Sequence, residues 1–165
     1  MQPFSLKYYT INMVDYSNFH ILIDTREQKA WEFPRHSTAN IKLNTGDYSL
    51  AGLQDKLCIE RKKSVSEIAS NITEKRFADE LERMKEFKYK FMIFEFSLTD
   101  VLIYPERSEI PKNKRKYIRI SPNFILKKLS EYMVNYDIDI IFGDTPKNAE
   151  KMAMAIMRRV YELEQ

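Results

Sequence analysis

Three short apolar runs, His20 to Asp24 (HILID), residues 90–96 (KFMIFEF) and residues 138–143 (IDIIFG), punctuate a chain whose other regular stretches repeat with helical spacing. Such runs read as buried strands. Val65, Ile68, Ala69 and Ile72 fall at i, i+3, i+4 and i+7, so residues 64–72 read as a helix. Phe77, Leu81 and Met84 line one face of a second helix over 74–87. Ser121-Pro122 and Thr145-Pro146 each join a capping hydroxyl to a proline at the first helical position. The first opens a helix to about Tyr136, with Ile125, Leu129 and Met133 inward. The second opens a final helix with Ala149, Met152, Ala153, Ile156, Val160 and Leu163 on one face. Asp47 leads into one strand and residues 57–62 form another, together a β-hairpin, and residues 41–43 read as a strand. Residues 25–39 and 105–122 read as loops, and 99–105 as a short helix or turn. The order β-β-β-β-α-α-β-α-β-α argues for an α/β chain with one central mixed sheet flanked by helices on both faces.

The 165 residues suit one domain, over 19–165, after a lead over 1–18 that shows no clean period. The apolar fraction, 44%, is enough for a core, and charged residues of both signs make up 31%. With three glycines and six prolines, most of the chain has no reason to leave regular structure. The net charge of +3 says little without knowing how the charge is distributed. The one cysteine, Cys58, cannot form an internal disulfide, and no Cys/His cluster suggests zinc. No apolar stretch reaches the roughly 20 residues of a membrane span, and no signal peptide is evident. The simplest expectation is a cytoplasmic protein, or a nuclear one in a eukaryote.

Chemistry concentrates at residues 59–62 (IERK). On a strand, Glu60 and Lys62 share one face while Ile59 and Arg61 share the other. The twelve residues between Asp47 and Glu60 suffice for two strands and a turn. Pairing then brings the Asp47 carboxylate beside Glu60. Two carboxylates converging with a lysine suit phosphodiester hydrolysis. They can hold Mg²⁺, a hard cation that keeps several waters, acidifies one of them and neutralises charge building on phosphate. The lysine can position or help deprotonate the attacking water, or balance that charge. Without a cation the two carboxylates repel and one tends to protonate. The plain alternative is a solvated strand face carrying Glu60 and Lys62, with Asp47 an ordinary turn residue. The spacing alone leaves both readings open.

Gly46-Asp47 followed by Ile59-Glu60-Arg61-Lys62 resembles the active-site motif of XPF-type structure-specific endonucleases, G-D-x(n)-E-R-K-x-x-x-D. Ile23-Asp24-Thr25-Arg26-Glu27 resembles the family's first motif, an apolar strand ending in D-x-R-E. The helix pair that follows, including Lys75-Arg76-Phe77, is similar too. The resemblance implies a restriction-endonuclease-like fold, with 19–165 a single nuclease domain. It implies Asp47 and Glu60 as metal ligands, the Arg61 carbonyl as a third, Lys62 as the catalytic lysine, and Asp24 beside the metal. The Arg61 side chain would orient its neighbours or contact the DNA backbone, and Arg26 and Glu27 would support the site or meet DNA. The family's last Asp falls on Ser66 here. Glu67 stands one step further, turned by about 100° on a helix, and Ser64-Val65-Ser66-Glu67 fits a capping box better than a metal site.

Residues 112–119 carry Lys112, Lys114, Arg115, Lys116 and Arg119 with no acid among them. They can track a phosphate backbone, with Tyr117 stacking on a base, or form a solvated loop. By resemblance Arg76 is the better-placed phosphate contact. Trp31 and Phe33 read as core rather than DNA groove. Met152, Met154 and Met157 widen the apolar face of the last helix, which fits either a homodimer or plain core packing. The expectation is an Mg²⁺- or Mn²⁺-dependent endonuclease acting on DNA, branched or flapped by resemblance, with no membrane and no small-molecule cofactor. The alternative is a catalytically silent relative that binds DNA or dimerises. Its usual sign, loss of the acid pair or of E-R-K, does not occur in this chain.

Overall fold

The three apolar runs become β1 (His20–Asp24), β5 (Tyr89–Phe94) and β6 (Asp139–Phe142) in the computed structural model, which describes residues 13–165. Most of the lead expected over 1–18 therefore lies outside the described residues. β3 (Tyr48–Leu50) and β4 (Leu57–Lys62) form the expected hairpin, and β2 (Ser37–Ile41) completes a six-stranded sheet in the order β2-β1-β3-β4-β5-β6. β3 runs antiparallel to both neighbours, while β1 with β2, β4 with β5 and β5 with β6 are parallel. The sheet is mixed, as the element order argues.

Strand alternation divides the core in two. Ile21 and Ile23, Tyr48 and Leu50, Leu57 and Ile59, and Ile93 face a cluster completed by Ala149, Ala153, Met157 and Val160 of α6 (Pro146–Leu163). Cys58, Met92 and Phe94 face the opposite cluster. That one is built from α1 (Val65–Asn71), α2 (Lys75–Met84), α3 (Leu98–Leu102) and α5 (Pro122–Tyr136), through Ile68, Phe77, Leu81, Val101, Ile125 and Leu129. Helices thus cover both faces. Ser64, Ser121 and Thr145 cap α1, α5 and α6 through their hydroxyls, as expected, and Ser97 closes a reciprocal capping box on α3. Of the last helix's methionines, Met157 is buried and Met154 packs against the core, so core packing accounts for most of that stripe; Met152 stays exposed. Among the described residues no helix is long and apolar enough to cross a membrane.

Two segments differ from expectation. Residues 37–39, expected in a loop, belong to β2, and the strand expected at 41–43 ends at Ile41. β2 is an exposed edge strand of polar residues, and no apolar alternation marks such a strand in sequence. The chain leaves the sheet after Ile41 because the Leu43 N–H donates to the Asp24 carboxylate at 2.7 Å. The segment 105–122 holds one short helix, α4 (Lys112–Arg115).

The end of α6 is tied to the sheet by one carboxylate. Glu164 accepts from Lys56 at 2.6 Å, Lys88 at 2.6 Å and Tyr89 at 3.0 Å, contacts that hold its pKa down at about 2. A depressed carboxylate stabilises the fold above its unfolded pKa and loses that contribution as pH falls toward the folded value. Glu164→Gln should therefore unfold at lower urea concentration than wild type at pH 7. The gap between the two should close as pH falls from the ordinary 4.5 toward about 2.

Candidate active site

Along β4 every residue is buried, although Glu60, Arg61 and Lys62 are charged. Alternation sends Glu60 and Lys62 to the α1/α2 face with Cys58, and Arg61 to the α6 face with Leu57 and Ile59. The same alternation puts Asp47 opposite Tyr48, and Asp24 opposite Ile23. Asp24, Asp47, Glu60 and Lys62 therefore line one cleft of about 420 Å³, with Arg26 and Glu27 at its edge.

Asp47 is fixed through its backbone and its side chain. Its N–H donates to Ile59 O at 2.8 Å, its carbonyl accepts from Asp24 N at 2.8 Å, and its Oδ2 accepts from Arg61 N at 2.8 Å. Gly46 makes this possible. Its φ is +76°, and a Cβ there would lie 2.6 Å from Cys58 Sγ and 3.0 Å from Ile59 O. Burial, the Glu60 charge and then the Glu27 charge push the Asp47 carboxyl well above the usual range. Burial also raises Glu60, although Lys62 opposes this through its charge and a 2.8 Å hydrogen bond from Nζ to Oε1. Burial works against the Lys62 ammonium, but Glu60 outweighs it and leaves the lysine raised, hence charged. The ammonium also sits 4.6 Å from the Phe77 ring centre.

The other expected residues divide into those the cleft gathers and those it does not. Asp24 is in the cleft but spent. Its two oxygens accept from Arg26 N at 2.9 Å, Arg26 Nε at 2.7 Å, Arg26 Nη2 at 3.1 Å and Leu43 N at 2.7 Å. A carboxylate offers about four lone-pair sites, and these four contacts account for those of Asp24, which the sequence reading sets beside the metal. Burial pushes its pKa up, but the bonds from Arg26 and Leu43 win and hold it below the usual value. Arg26 is held on Asp24 and Leu43 O, with much of its side chain exposed at the cleft edge. Glu27 is buried between Arg61 and Lys63, each 3.3 Å away.

Glu67 takes the N-capping half of the expected capping box. Its N–H is capped by Ser64 Oγ at 3.1 Å, but its carboxylate reaches past the capping position to Lys63 N at 2.7 Å and comes within 3.9 Å of Lys62 Nζ. Arg76 lines the cleft, exposed and with no ion-pair partner among the described residues. Lys112, Lys114, Arg115 and Lys116 lie outside the cleft lining. Lys112, Lys114 and Lys116 are exposed, whereas Arg115 is engaged by Ile110 O, Glu106 and Ser108 O.

The Arg61 side chain knots the far face together. It donates to Lys29 O at 3.0 Å, Tyr48 Oη at 3.2 Å and Gln28 O at 3.3 Å, faces Glu27 and Glu95, and stacks 5.4 Å from Trp31. Trp31 in turn stacks on Tyr48 and donates to Glu95 at 2.7 Å. Trp31 and Phe33 are thus core, as expected. Sequence reasoning missed Asn71, whose buried Oδ1 has no hydrogen-bond partner, and Glu80 and Arg83, all lining the cleft. Arg76, Glu80 and Arg83 repeat at i, i+4 and i+7, one residue ahead of the buried Phe77, Leu81 and Met84. That polar stripe was the available signal.

Comparison with known proteins agrees with this geometry. The model of the ERCC4 domain family matches residues 23–154. The chain belongs to the ERCC4 domain family. Two solved structures with the same fold are XPF from Aeropyrum pernix and the same protein in complex with DNA. The first superposes with a TM-score of 0.63 at 17% identity, covering 86% of this chain and 61% of that one. The second gives 0.62 at 18% identity, covering 87% of this chain and 66% of that one. The chain thus spans under two thirds of the length of either structure. No curated protein sequence is matched. The expected fold, a restriction-endonuclease-like sheet of the XPF nuclease type, is the one found.

Two substitutions test the electrostatics. Asp47→Asn keeps an acceptor for Arg61 N–H but removes a carboxylate disfavoured by burial and by Glu60. In EDTA at pH 8 it should raise Tm by about 2–4 °C, roughly 1 kcal/mol for a chain of this size. A raised carboxyl destabilises only as pH climbs above its unfolded value, so the gain should fade toward pH 4. Arg61→Ala leaves Glu27 buried without its arginine and should cost about 3–5 kcal/mol in urea unfolding.

Proposed function

We propose that this ERCC4 domain is a divalent-cation-dependent endonuclease that hydrolyses DNA phosphodiester bonds, with branched or flapped DNA as its preferred substrate. The observation that carries the reading is the convergence of half-buried Asp47 and buried Glu60 in one cleft, beside a charged Lys62. Burial raises both carboxyls and the Glu60 charge raises Asp47 further, so the two are poor neighbours without a cation. Among the described residues no three His, Cys, Asp or Glu side chains converge closely enough to hold a metal by themselves. Two carboxylates are nonetheless the usual protein share for Mg²⁺, which keeps several waters and takes phosphate oxygens. Asn71 Oδ1 leaves a further unpartnered acceptor buried in a residue of the cleft lining.

In this reading Asp47 and Glu60 hold Mg²⁺ or Mn²⁺, with the carbonyl of Arg61, the residue after Glu60, as a third oxygen. When bound, the ion supplies an acidified water and a Lewis acid for the phosphate. Lys62, held by Glu60, offers its ammonium to the attacking water or to the charge gathering on the phosphate. Arg61 acts from the opposite face: its side chain fixes the 27–31 loop and its N–H fixes Asp47. Arg76 and the exposed edge of Arg26 take flanking phosphates, and Lys112, Lys114 and Lys116 offer a weaker, salt-sensitive contact further along the strand. The family match and the DNA-bound XPF structure support DNA as partner. A homodimer would draw on exposed Met152 and Leu163 of α6, and light scattering of the same preparation tests it.

Flap, fork, single-stranded and linear duplex DNA incubated with Mg²⁺, Mn²⁺ or EDTA separates the readings. Cleavage is expected with either cation, fastest on the branched substrates, and none in EDTA. Asp47→Ala and Lys62→Met should each lower the rate by about 10²–10³-fold while DNA retention in a gel shift persists. Cleavage that survives Asp47→Ala sinks the assignment. Binding without cleavage under both cations identifies a silent relative instead.

A further inference from the structure

We infer that Glu80 and Arg83 of α2 form a clamp on the Thr45–Asp47 turn that sets the position of Asp47, a positioning role that rests on the reading of the site above. Glu80 Oε1 accepts from Gly46 N at 2.8 Å. Its other oxygen is ion-paired with Arg83, whose Nε reaches Thr45 Oγ1 at 3.3 Å. Two side chains one helical turn apart thus grip two successive residues immediately before Asp47. The acid is mostly buried, its side chain 18% exposed, while the arginine is 47% exposed. A mostly buried carboxylate bonded to both a backbone N–H and a guanidinium is a fixed anchor rather than a solvated surface charge.

The Gly46 backbone gives the clamp its leverage. The turn passes so close over β4 that any Cβ at Gly46 would strike Cys58 Sγ. The Gly46 N–H has its acceptor outside the hairpin, whereas the next N–H, that of Asp47, takes Ile59 O within it. Glu80 supplies the missing acceptor from a different element. Loss of that bond leaves a part-buried donor unpaired and frees the residue preceding Asp47. One Glu80 oxygen is taken by Gly46 N–H and the other by Arg83, so Glu80 acts on a cation through the turn rather than as a ligand. Residues that orient metal ligands in this way typically change affinity about 10–100-fold when removed.

The chain contains only three glycines, so labelling with ¹⁵N-glycine and ¹³C-carbonyl threonine gives a short spectrum in which Gly46 is identified as the glycine that follows a threonine. In Glu80→Ala, the Gly46 resonance should shift and its amide should exchange about tenfold faster. Mn²⁺ binding, followed by the electron-spin resonance of the free ion, should weaken about tenfold, and kcat on DNA should fall more than KM changes. Glu80→Gln retains an acceptor for Gly46 N–H and should restore the resonance and most of the Mn²⁺ affinity. Arg83→Ala should move all readouts in the same direction by less, and it serves if Glu80→Ala does not fold. An unmoved Gly46 resonance or unchanged Mn²⁺ affinity in Glu80→Ala and Arg83→Ala overturns the clamp. A Glu80→Gln protein with native Gly46 but Mn²⁺ affinity as poor as Glu80→Ala overturns it in favour of direct ligation. Wild-type protein that neither binds Mn²⁺ nor cuts DNA refutes the reading of the site and the clamp's part in metal binding, and the Gly46 resonance distinguishes that failure from a missing clamp.

Discussion

A central strand that buries Glu60, Arg61 and Lys62 in succession forces charge into both faces of the sheet, and the surrounding structure is arranged to tolerate it. Burying a charge costs several kcal/mol unless it is paired and hydrogen-bonded. On the α6 face Arg61 finds two carboxylates, two backbone carbonyls, a phenol and an indole ring. On the α1/α2 face Lys62 finds Glu60 and the Phe77 ring, while Asp47 and Glu60 are left with less compensation than they need. The imbalance is confined to one cleft. The two faces of β4 therefore differ in kind: one is a closed ionic network, the other an open one that a cation and a phosphate would complete.

Much of the fold was legible because burial writes a period into the sequence. β1, β5 and β6 are apolar runs, and α5 and α6 begin at hydroxyl-proline pairs that the structure uses as caps. The hairpin of β3 and β4, with its alternation, put Asp47, Glu60 and Lys62 on one side and Arg61 on the other. β2 left no trace, since an edge strand exposed along most of its length needs no apolar partner residues. Its existence depends on hydrogen bonds to β1, which any backbone can make.

The site was legible in its members and less so in their partners. The D-x-R-E motif placed Asp24 beside the cleft but could not tell that Arg26 folds back onto it and occupies both oxygens. Nor could the run at 112–116 tell that Arg115 is drawn onto the 106–110 loop while its neighbours stay free. Glu80 and Arg83 were harder still. They are ordinary surface-helix residues in sequence, and only the tertiary placement of α2 over the Gly46 turn gives them work. Pairings between distant segments are set by packing, and no local spacing encodes them.

Trp31 is the chain's one tryptophan, and it lies against Tyr48, Glu95 and Arg61 on the side of the sheet away from the cleft. Fluorescence excited at wavelengths that tyrosine does not absorb therefore originates inside the ionic network behind the site. Since the Arg61 N–H also holds Asp47, any event in the cleft that tugs on β4 is transmitted within one residue to the chromophore's nearest cation. The molecule carries its own optical reporter, set on the dry side of the strand whose wet side lines the cleft.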